Sequence, residues 1–279
     1  MRLILLGTGT PVLDSTRQQA ALVLQFNGAN LLFDAGRGVT SQLLQAALAP
    51  QAIDAVFITH HHYDHISNLG EFLLTAWHNG RTTPIHVYGP PGTAAIVNAL
   101  LTQVYARDID FTLFMDPDGV DIRDLVQVNE VSEGVVCDTG AYRVEAAYVD
   151  HGNSLGLSPA RWPCLGYRLA ADGKVIAISG DTVACAGLDR LAAQADCLVQ
   201  CCYVAEAELT SPAFVRLATH IIAAAGAVGQ IAARNEVKQV VLTHIRPKAA
   251  DLLQAMVADV RKHYQGPVIL GTDLLVIDL

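Results

Sequence analysis

Residues 58 to 66 read Ile58-Thr59-His60-His61-His62-Tyr63-Asp64-His65-Ile66, and they contain four potential metal ligands within six positions. If the segment is extended, alternate side chains point to one side, so that His60, His62 and Asp64 converge while His61 and Tyr63 point away. His65 breaks the alternation and adds a nitrogen donor beside the carboxylate. Imidazole and carboxylate groups together suit zinc or a similar first-row metal, and this many donors indicates more than one ion.

The alternatives to a metal site are a chance histidine cluster on a surface loop and an expression tag. A tag would lie at a terminus and would lack the interleaved aspartate. A loop cluster need not follow an apolar strand, whereas this one follows Ala55-Val56-Phe57-Ile58. The metal site is therefore the favoured interpretation, and it lies where a strand gives way to a helix predicted over 66–78.

The composition is that of a compact globular protein, because 52% of the 279 residues are hydrophobic and only 16% are charged. No apolar run reaches the roughly 18 residues that span a bilayer, which predicts a soluble protein without a membrane partner. The six cysteines form no C-x-x-C motif or disulfide framework, which predicts buried free thiols in the cytoplasm. A net charge of −9 gives no general attraction to nucleic acid, which is not the expected partner.

Apolar periodicity predicts one domain over residues 1–279 in which strands and helices alternate. The glycine turn after the first strand lacks the third glycine of a dinucleotide-binding fingerprint, since Val12 takes that position. Asn27-Gly28 predicts a hairpin between two apolar runs, and residues 107–133 show no clear pattern. Helices are predicted over 40–48, 66–78, 93–105, 219–234 and 251–263, and strands over 2–6, 20–26, 30–33, 53–59, 85–88, 142–149, 175–178, 196–204, 239–242, 268–270 and 274–277.

Four predicted strands are each followed by a histidine or an aspartate. Taken alone, each of these residues has an ordinary role open to it, such as that of a surface histidine or a turn-forming aspartate. Strand ends at one edge of a sheet assembly converge, however, and the loops there carry function. The joint pattern therefore favours one shared site, and its strand and ligand pairs are Ile58 with His60, Val149 with His151, Ile178 with Asp181, and Leu242 with His244.

With these residues in view, the sequence resembles the metallo-β-lactamase superfamily, whose H-x-H-x-D-H signature corresponds to residues 60–65. The resemblance covers nearly the whole chain and is closest to the ribonuclease Z and arylsulfatase-like branch. It implies an α/β fold, a four-layer αβ/βα sandwich with metals between two sheets, and a homodimer. The segments similar to successive motifs of that branch are Gly7-Thr-Gly-Thr-Pro11, Phe33-Asp-Ala-Gly36, Ser179-Gly-Asp-Thr182 and Leu242-Thr-His244.

The resemblance also implies a role for each ligand. Two Zn(2+) ions, or manganese or iron in their place, would share a bridging hydroxide that attacks the substrate. By this resemblance one ion is held by His60, His62 and His151, the other by Asp64, His65 and His244, and Asp181 bridges both; Asp64 is also counted as catalytic.

His220 is the second candidate catalytic residue. By resemblance it lies at the start of the helix that leads to Leu242-Thr-His244, and it would protonate or hydrogen-bond the departing oxygen. The alternative is a solvated histidine at a helix N-terminus.

Two departures from the ribonuclease Z branch bear on the substrate. That branch inserts a long tRNA-gripping arm before its Ser-Gly-Asp-Thr segment, whereas here Arg168 runs almost directly into Gly173. The branch also has a His-Glu pair where this chain has Gln200-Cys201, so His220 lacks that supporting carboxylate. Together with the acidic charge, these departures argue against tRNA 3′-end processing.

The leading hypothesis is a dinuclear metal-dependent hydrolase acting on a small phosphodiester or related phosphate ester. An aryl or alkyl sulfatase, or a lactonase or carboxylic esterase, would use the same site on another substrate. A catalytically silent metal-binding protein is a third alternative. Arg161, Trp162 and Tyr167 follow His151 in sequence and are candidates for a pocket wall, although core and surface roles are the better expectation for them.

Overall fold

Two seven-stranded sheets face each other in the computed structural model, which describes residues 1–279. Numbered in chain order, the first sheet contains β1 (Arg2–Gly7), β2 (Ala21–Phe26), β3 (Ala29–Phe33), β4 (Ala55–Phe57), β5 (Ile85–Gly89), β6 (Val126–Glu130) and β14 (Val276–Asp278). The second contains β7 (Gly134–Asp138), β8 (Tyr142–Tyr148), β9 (Leu165–Ala171), β10 (Lys174–Ile178), β11 (Cys197–Cys201), β12 (Val240–Thr243) and β13 (Val268–Leu270). The spatial orders are β14-β1-β2-β3-β4-β5-β6 and β13-β12-β11-β10-β9-β8-β7.

Helices cover the outer face of each sheet, so the predicted four-layer αβ/βα sandwich is confirmed. The apolar faces of the helices and of the sheets form one buried cluster on each side of the molecule. The helices on the side of the first sheet are α1 (Val39–Gln45), α2 (Tyr63–Ile66), α3 (Leu69–His78), α4 (Thr93–Ala99), α5 (Ala106–Met115) and α6 (Ile122–Leu125). Those on the side of the second are α7 (Ala186–Ala192), α8 (Pro212–His220), α9 (Ala225–Arg234) and α10 (Ala250–Arg261).

Aromatic rings fill the space between the two sheets. Phe33 and Phe57 stack at 5.0 Å between ring centroids, and the Tyr167 ring from the opposite sheet meets both edge-on. The Tyr167 hydroxyl donates a hydrogen bond of 2.7 Å to the carbonyl of Ile58. Because Ile58 directly precedes the histidine-rich stretch, the core fixes the point where that stretch leaves the sheet.

The direction of the strands brings the candidate ligands to one edge of each sheet. β3 to β6 run parallel, as do β10 to β13. β8 is antiparallel to β9, which is antiparallel to β10, so β8 and β10 end at the same edge. The loops after β4, β8, β10 and β12 therefore meet, as the pattern of strand ends predicts.

The single helix predicted over 219–234 is wrong, because the chain forms two helices there with a link over 221–224. The backbone in and just after this link bonds to other segments: Ala223 N–H donates to the Thr182 carbonyl, and Ala225 N–H, at the start of α9, donates to that of Val204. Because Ala223 is buried among apolar side chains, tertiary packing overrides the helical propensity of the segment. His220 thus ends α8 rather than beginning α9.

Two further features bear on the predictions from composition. All six cysteines are free, and four of them are buried. Each helix is too short or too polar to span a lipid bilayer.

Candidate metal centre

The histidine-rich stretch has two conformations. After β4 the chain stays extended through His62, and α2 then begins at Tyr63. The prediction that Asp64 converges with His60 and His62 in one extended segment is therefore wrong, because Asp64 lies in the first turn of α2 beside His65. This change of conformation sends Asp64 and His65 to a different group from His60 and His62.

The first group, which we call the histidine cluster, joins side chains from both sheets. The Nδ1 atom of His62 lies 3.0 Å from His60 Nε2 and 3.0 Å from His151 Nε2. Asp181 Oδ2 lies 3.8 Å from His151 Nε2. All four potential ligand atoms lie within 4.8 Å of one another, and only His62 is exposed.

The second group, which we call the aspartate cluster, consists of Asp64, His65 and His244 and is wholly buried. The His244 Nε2 atom lies 3.1 Å from Asp64 Oδ2 and 3.3 Å from Asp181 Oδ2. Asp181 Oδ1 lies 3.6 Å from His65 Nε2. Asp181 thus lies between the two clusters, which is the position of a bridging ligand.

Hydrogen bonds hold the outer nitrogens of two imidazoles and so orient the inner ones. His151 Nδ1 lies 2.6 Å from the Ile221 carbonyl oxygen, to which only an N–H can donate. His60 Nδ1 lies 3.0 Å from Thr59 Oγ1. With the proton on the outer nitrogen, the lone pair of Nε2 points into the cluster, as a metal ligand requires.

Asp34, a residue without a predicted role, orients an imidazole of the aspartate cluster. Its Oδ2 accepts a hydrogen bond of 2.7 Å from His65 Nδ1, while Oδ1 accepts one of 2.8 Å from the Thr59 N–H. Asp34 directly follows β3 and has a positive φ of 58°, which directs its buried carboxylate toward α2. Two signals in the sequence could have identified it, namely its place at a strand end and its presence in the Phe33-Asp-Ala-Gly36 segment that resembles a family motif.

The charges within the site perturb its histidines in opposite directions. Burial, followed by the nearby His65, lowers the pKa of His60 well below its usual value. Burial of its inner edge and the neighbouring His151 lower the pKa of His62 to about 4. At His65 burial also opposes the charged form, but the Asp34 and Asp181 carboxylates raise the pKa well above its usual value. His60 and His62 are therefore neutral near pH 7, the form that binds metals.

The arrangement fits divalent metal ions. Tetrahedral zinc with bonds of about 2.0–2.1 Å to nitrogen places its ligands about 3.4 Å apart, close to the separations between the inner nitrogens. Three further donor atoms, Asp64 Oδ1, His65 Nε2 and Asp181 Oδ1, are buried without a hydrogen-bond partner. Buried polar atoms normally have partners, and a cation would satisfy all three.

His220, the candidate acid, lies outside both clusters but is attached to one of them. Its Nδ1 lies 3.0 Å from Ser154 Oγ, and its carbonyl accepts a hydrogen bond from Gly152 N–H. The next residue, Ile221, accepts the bond from His151. The chain around His220 is thus tied to the loop that follows a candidate metal ligand.

Gln200 and Cys201 are buried in β11. Burial, together with the charge of Asp181, raises the pKa of Cys201 well above its usual value, so the thiol stays neutral. It does not supply the negative charge of the glutamate that the resemblance leads one to expect at this position.

The three candidates for a pocket wall have different positions. Tyr167 is fully buried in the core, and Arg161 is exposed. Trp162 contacts the histidine cluster, with its ring centroid 4.8 Å from that of His62. Trp162 therefore combines the expected packing against the core with a contact to the candidate site.

Comparisons with known proteins identify the family. The chain matches the beta-lactamase superfamily domain over residues 29–245. It is 36% identical over 249 residues to a protein named ribonuclease Z from Mycobacterium sp. (strain KMS), covering 88% of this chain and 84% of that protein. That name denotes RNA as the relative's substrate, which runs against the expectation that nucleic acid is not the partner here.

Solved structures show the same fold. Human tRNase Z, short form, superposes with a TM-score of 0.73 at 24% identity, covering 100% of this chain and 99% of that one. A metallo-beta-lactamase fold protein from Bacillus subtilis gives a TM-score of 0.72 at 16% identity, covering 99% and 98%. The prediction of a hydrolytic enzyme is confirmed at the level of the family. The chain belongs to the metallo-β-lactamase superfamily, in its ribonuclease Z-like branch.

Proposed function

We propose that this protein is a dinuclear metal-dependent phosphodiesterase that acts on a small phosphodiester. The observation that carries the proposal is the pair of adjoining clusters with Asp181 between them. Zinc is the metal that best suits their donors, with manganese or iron as alternatives. When bound, two such ions would supply Lewis acidity, which would lower the pKa of a bound water and stabilise charge on phosphoryl oxygens.

The residues of the chain have distinct parts in this proposal. The histidine cluster and the aspartate cluster would each hold one ion, and Asp181 would contribute a ligand to both. Asp34, Thr59 and the Ile221 carbonyl keep the imidazoles in the ligating orientation. His220 is the candidate that donates a proton to the departing oxygen.

The architecture around the site supports a small substrate. β9 and β10, where the related branch carries its tRNA-gripping arm, are joined here by only Asp172 and Gly173. Both residues have positive φ, as in a tight hairpin. With a net charge of −9, the protein also lacks the overall positive charge that would neutralise the phosphates of RNA.

A second candidate function is cleavage of RNA, and the names of the curated relatives favour it. The same metal site would serve both reactions, because each one breaks a phosphodiester bond. A tRNA substrate would require contacts to its body from elements other than the missing arm.

A substrate panel on the zinc-loaded protein separates these functions. We expect turnover of bis(p-nitrophenyl) phosphate, little turnover of p-nitrophenyl sulfate or a lactone, and no specific cut in a tRNA precursor transcript. The His62→Ala variant is the matched control for contaminating hydrolases. Specific cleavage of the transcript at its 3′ end would replace the proposal by the RNA function, and sulfate or lactone turnover alone would overturn both.

His220→Ala is predicted to slow alkoxide-leaving phosphodiesters more than p-nitrophenyl ones. General acids typically contribute about 100-fold or more when the leaving group needs a proton, and little when it is a stable phenolate. We therefore expect kcat/KM to fall about 100-fold for a dinucleotide and less than about 10-fold for bis(p-nitrophenyl) phosphate.

Ser154→Ala is the companion variant, because it removes only the hydrogen-bond partner of His220. It is expected to show the same dependence on the leaving group with smaller losses. Equal losses for both substrates in His220→Ala would show that His220 is not the acid.

A further inference from the structure

The loop over residues 152–163 is folded back on itself beside the histidine cluster. The Asn153 side chain donates hydrogen bonds to the carbonyls of Leu157, at 2.8 Å, and Trp162, at 2.9 Å. Its Oδ1 accepts a bond of 3.2 Å from the backbone N–H of His151. One side chain thus ties the end of the loop to a candidate metal ligand at its start.

This fold places the Trp162 indole against the His62 and His60 imidazoles and against the backbone of His151. The ring centroid lies 4.8 Å from that of His62, at 49°, and 6.2 Å from that of His60, at 83°. The indole N–H donates a hydrogen bond of 3.0 Å to the backbone carbonyl of His151. The other edge of the ring packs against the apolar core outside the second sheet.

His62 is the ligand that most needs such a contact. His60 and His151 each have an outer nitrogen held by the protein, at Thr59 and at the Ile221 carbonyl. His62 is exposed, and its hydrogen-bonding contacts to other side chains are all made through Nδ1, which faces the cluster. Packing against Trp162 therefore takes the place of the hydrogen bond that usually orients a metal-binding histidine.

We propose that Trp162 is a positioning residue that sets the metal affinity of the histidine cluster. It restrains the His62 ring by contact and the His151 backbone by its hydrogen bond, so that both inner nitrogens are preorganised. The proposal rests on the metal assignment of the proposed function but not on the choice of substrate. It also makes Trp162 an intrinsic reporter of that site, because the chain has only two tryptophans.

The test measures metal binding rather than turnover. In a Trp77→Phe background Trp162 is the sole tryptophan, and Asp64→Ala disables the aspartate cluster while leaving the histidine cluster intact. Co²⁺, whose absorption and unpaired electrons quench nearby indoles, is titrated into the chelator-treated protein. We expect Trp162 emission to fall with the first equivalent. Zn²⁺ affinity is then measured in competition with a chromophoric chelator.

Loss of a group that orients a ligand typically weakens metal binding about 10–100-fold, and we expect this loss for Trp162→Leu at the histidine cluster. Trp162→Phe keeps the ring contact but not the hydrogen bond, so a smaller loss is expected. Asn153→Ala retains the indole and releases the loop, and it should weaken the same site. The aspartate cluster, measured in a His62→Ala background, should keep its affinity.

Unchanged Zn²⁺ affinity in both Trp162→Leu and Asn153→Ala would overturn the proposal. Equal weakening of both clusters, with a lower melting temperature of the metal-free protein, would also overturn it, because the role would then be structural. A parent protein that binds metal but hydrolyses no phosphodiester would contradict the proposed function alone. A parent protein that binds no metal would contradict both.

Discussion

Asp181→Ala is expected to abolish phosphodiester hydrolysis and to reduce the metal content to one ion or fewer per chain. Asp181 lies within 3.8 Å of His65, His151 and His244, so its removal takes a donor from both clusters at once. It also takes away negative charge that offsets the repulsion between ions. We expect the rate to fall by more than about 100-fold, since even the loss of a residue that merely orients a ligand costs about 10–100-fold.

Asp181→Asn is the matched control, because it preserves the size of the side chain and one oxygen while removing the charge. Elemental analysis after exhaustive dialysis, with circular dichroism to verify the fold, gives the readout. If Asp181→Ala retains two ions and wild-type turnover, the bridging role is wrong. If Asp181→Asn keeps the metal content and turnover of the wild type, the negative charge of Asp181 is not required for either.

The location of the site could be predicted because the strands in question carry strong signals. Four apolar strands are each followed by a histidine or an aspartate that can bind a metal, namely His60, His151, Asp181 and His244. Such a combination seldom arises by chance, so it indicates a shared site. β10 and β11 are parallel, and β8 runs in the same direction as β10 because both are antiparallel to β9. The carboxyl ends of these strands therefore lie at one edge of the sheet. The local sequence pattern was sufficient to locate the site, because the direction of a strand determines at which edge of the sheet the next residue lies.

The parts that could not be predicted depend on contacts between distant residues. The break between α8 and α9 arises because the N–H groups of Ala223 and Ala225 bond to Thr182 and Val204, which lie in other segments of the chain. Periodicity within the segment carries no trace of those partners, and the sequence favours a continuous helix. The position of His220 at the end of α8 follows from this break.

The conformation of the histidine-rich stretch also depends on distant partners. Alternation predicts that Asp64 faces the same way as His60 and His62, but α2 begins at Tyr63 and rotates Asp64 away. The Tyr63 hydroxyl bonds to the Pro11 carbonyl, and His61 bonds to Thr93, so the residues between the ligands are anchored outward. The two metal groups thus arise from one short segment because it changes from extended to helical at its centre.

Trp162 and Asp34 show why supporting residues are harder to find than ligands. A tryptophan in a loop and an aspartate after a strand are each common, and neither belongs to a donor cluster. Their roles appear only when the distances to His62 and His65 are known. Sequence reasoning therefore identifies the donors of a metal site more readily than the groups that orient them.

Asp34→Asn is expected to weaken metal binding at the aspartate cluster about 10–100-fold while leaving the protein folded. The carboxylate accepts from both the Thr59 N–H and His65 Nδ1–H. Whichever way the asparagine amide turns, its NH₂ group faces one of these donors. If it faces His65, Nδ1 must accept a hydrogen bond instead, and the proton moves to Nε2. That proton occupies the lone pair that would bind the ion.

Asp34→Ala serves as the comparison, because it removes the acceptor altogether. It leaves the Thr59 N–H without a partner and leaves His65 Nδ1 with only the longer contact of 3.4 Å to Thr59 Oγ1. Because both groups are buried, we expect the metal-free protein to be destabilised by about 3 kcal/mol. Thermal unfolding of the metal-free variants measures that loss, and chelator competition measures affinity at each cluster. Wild-type affinity at the aspartate cluster in Asp34→Asn would show that the Asp34 carboxylate is not needed to hold His65 in the tautomer that binds the ion. If a variant binds metal more weakly at the aspartate cluster but unfolds at the wild-type temperature, the function of Asp34 is to orient the His65 imidazole.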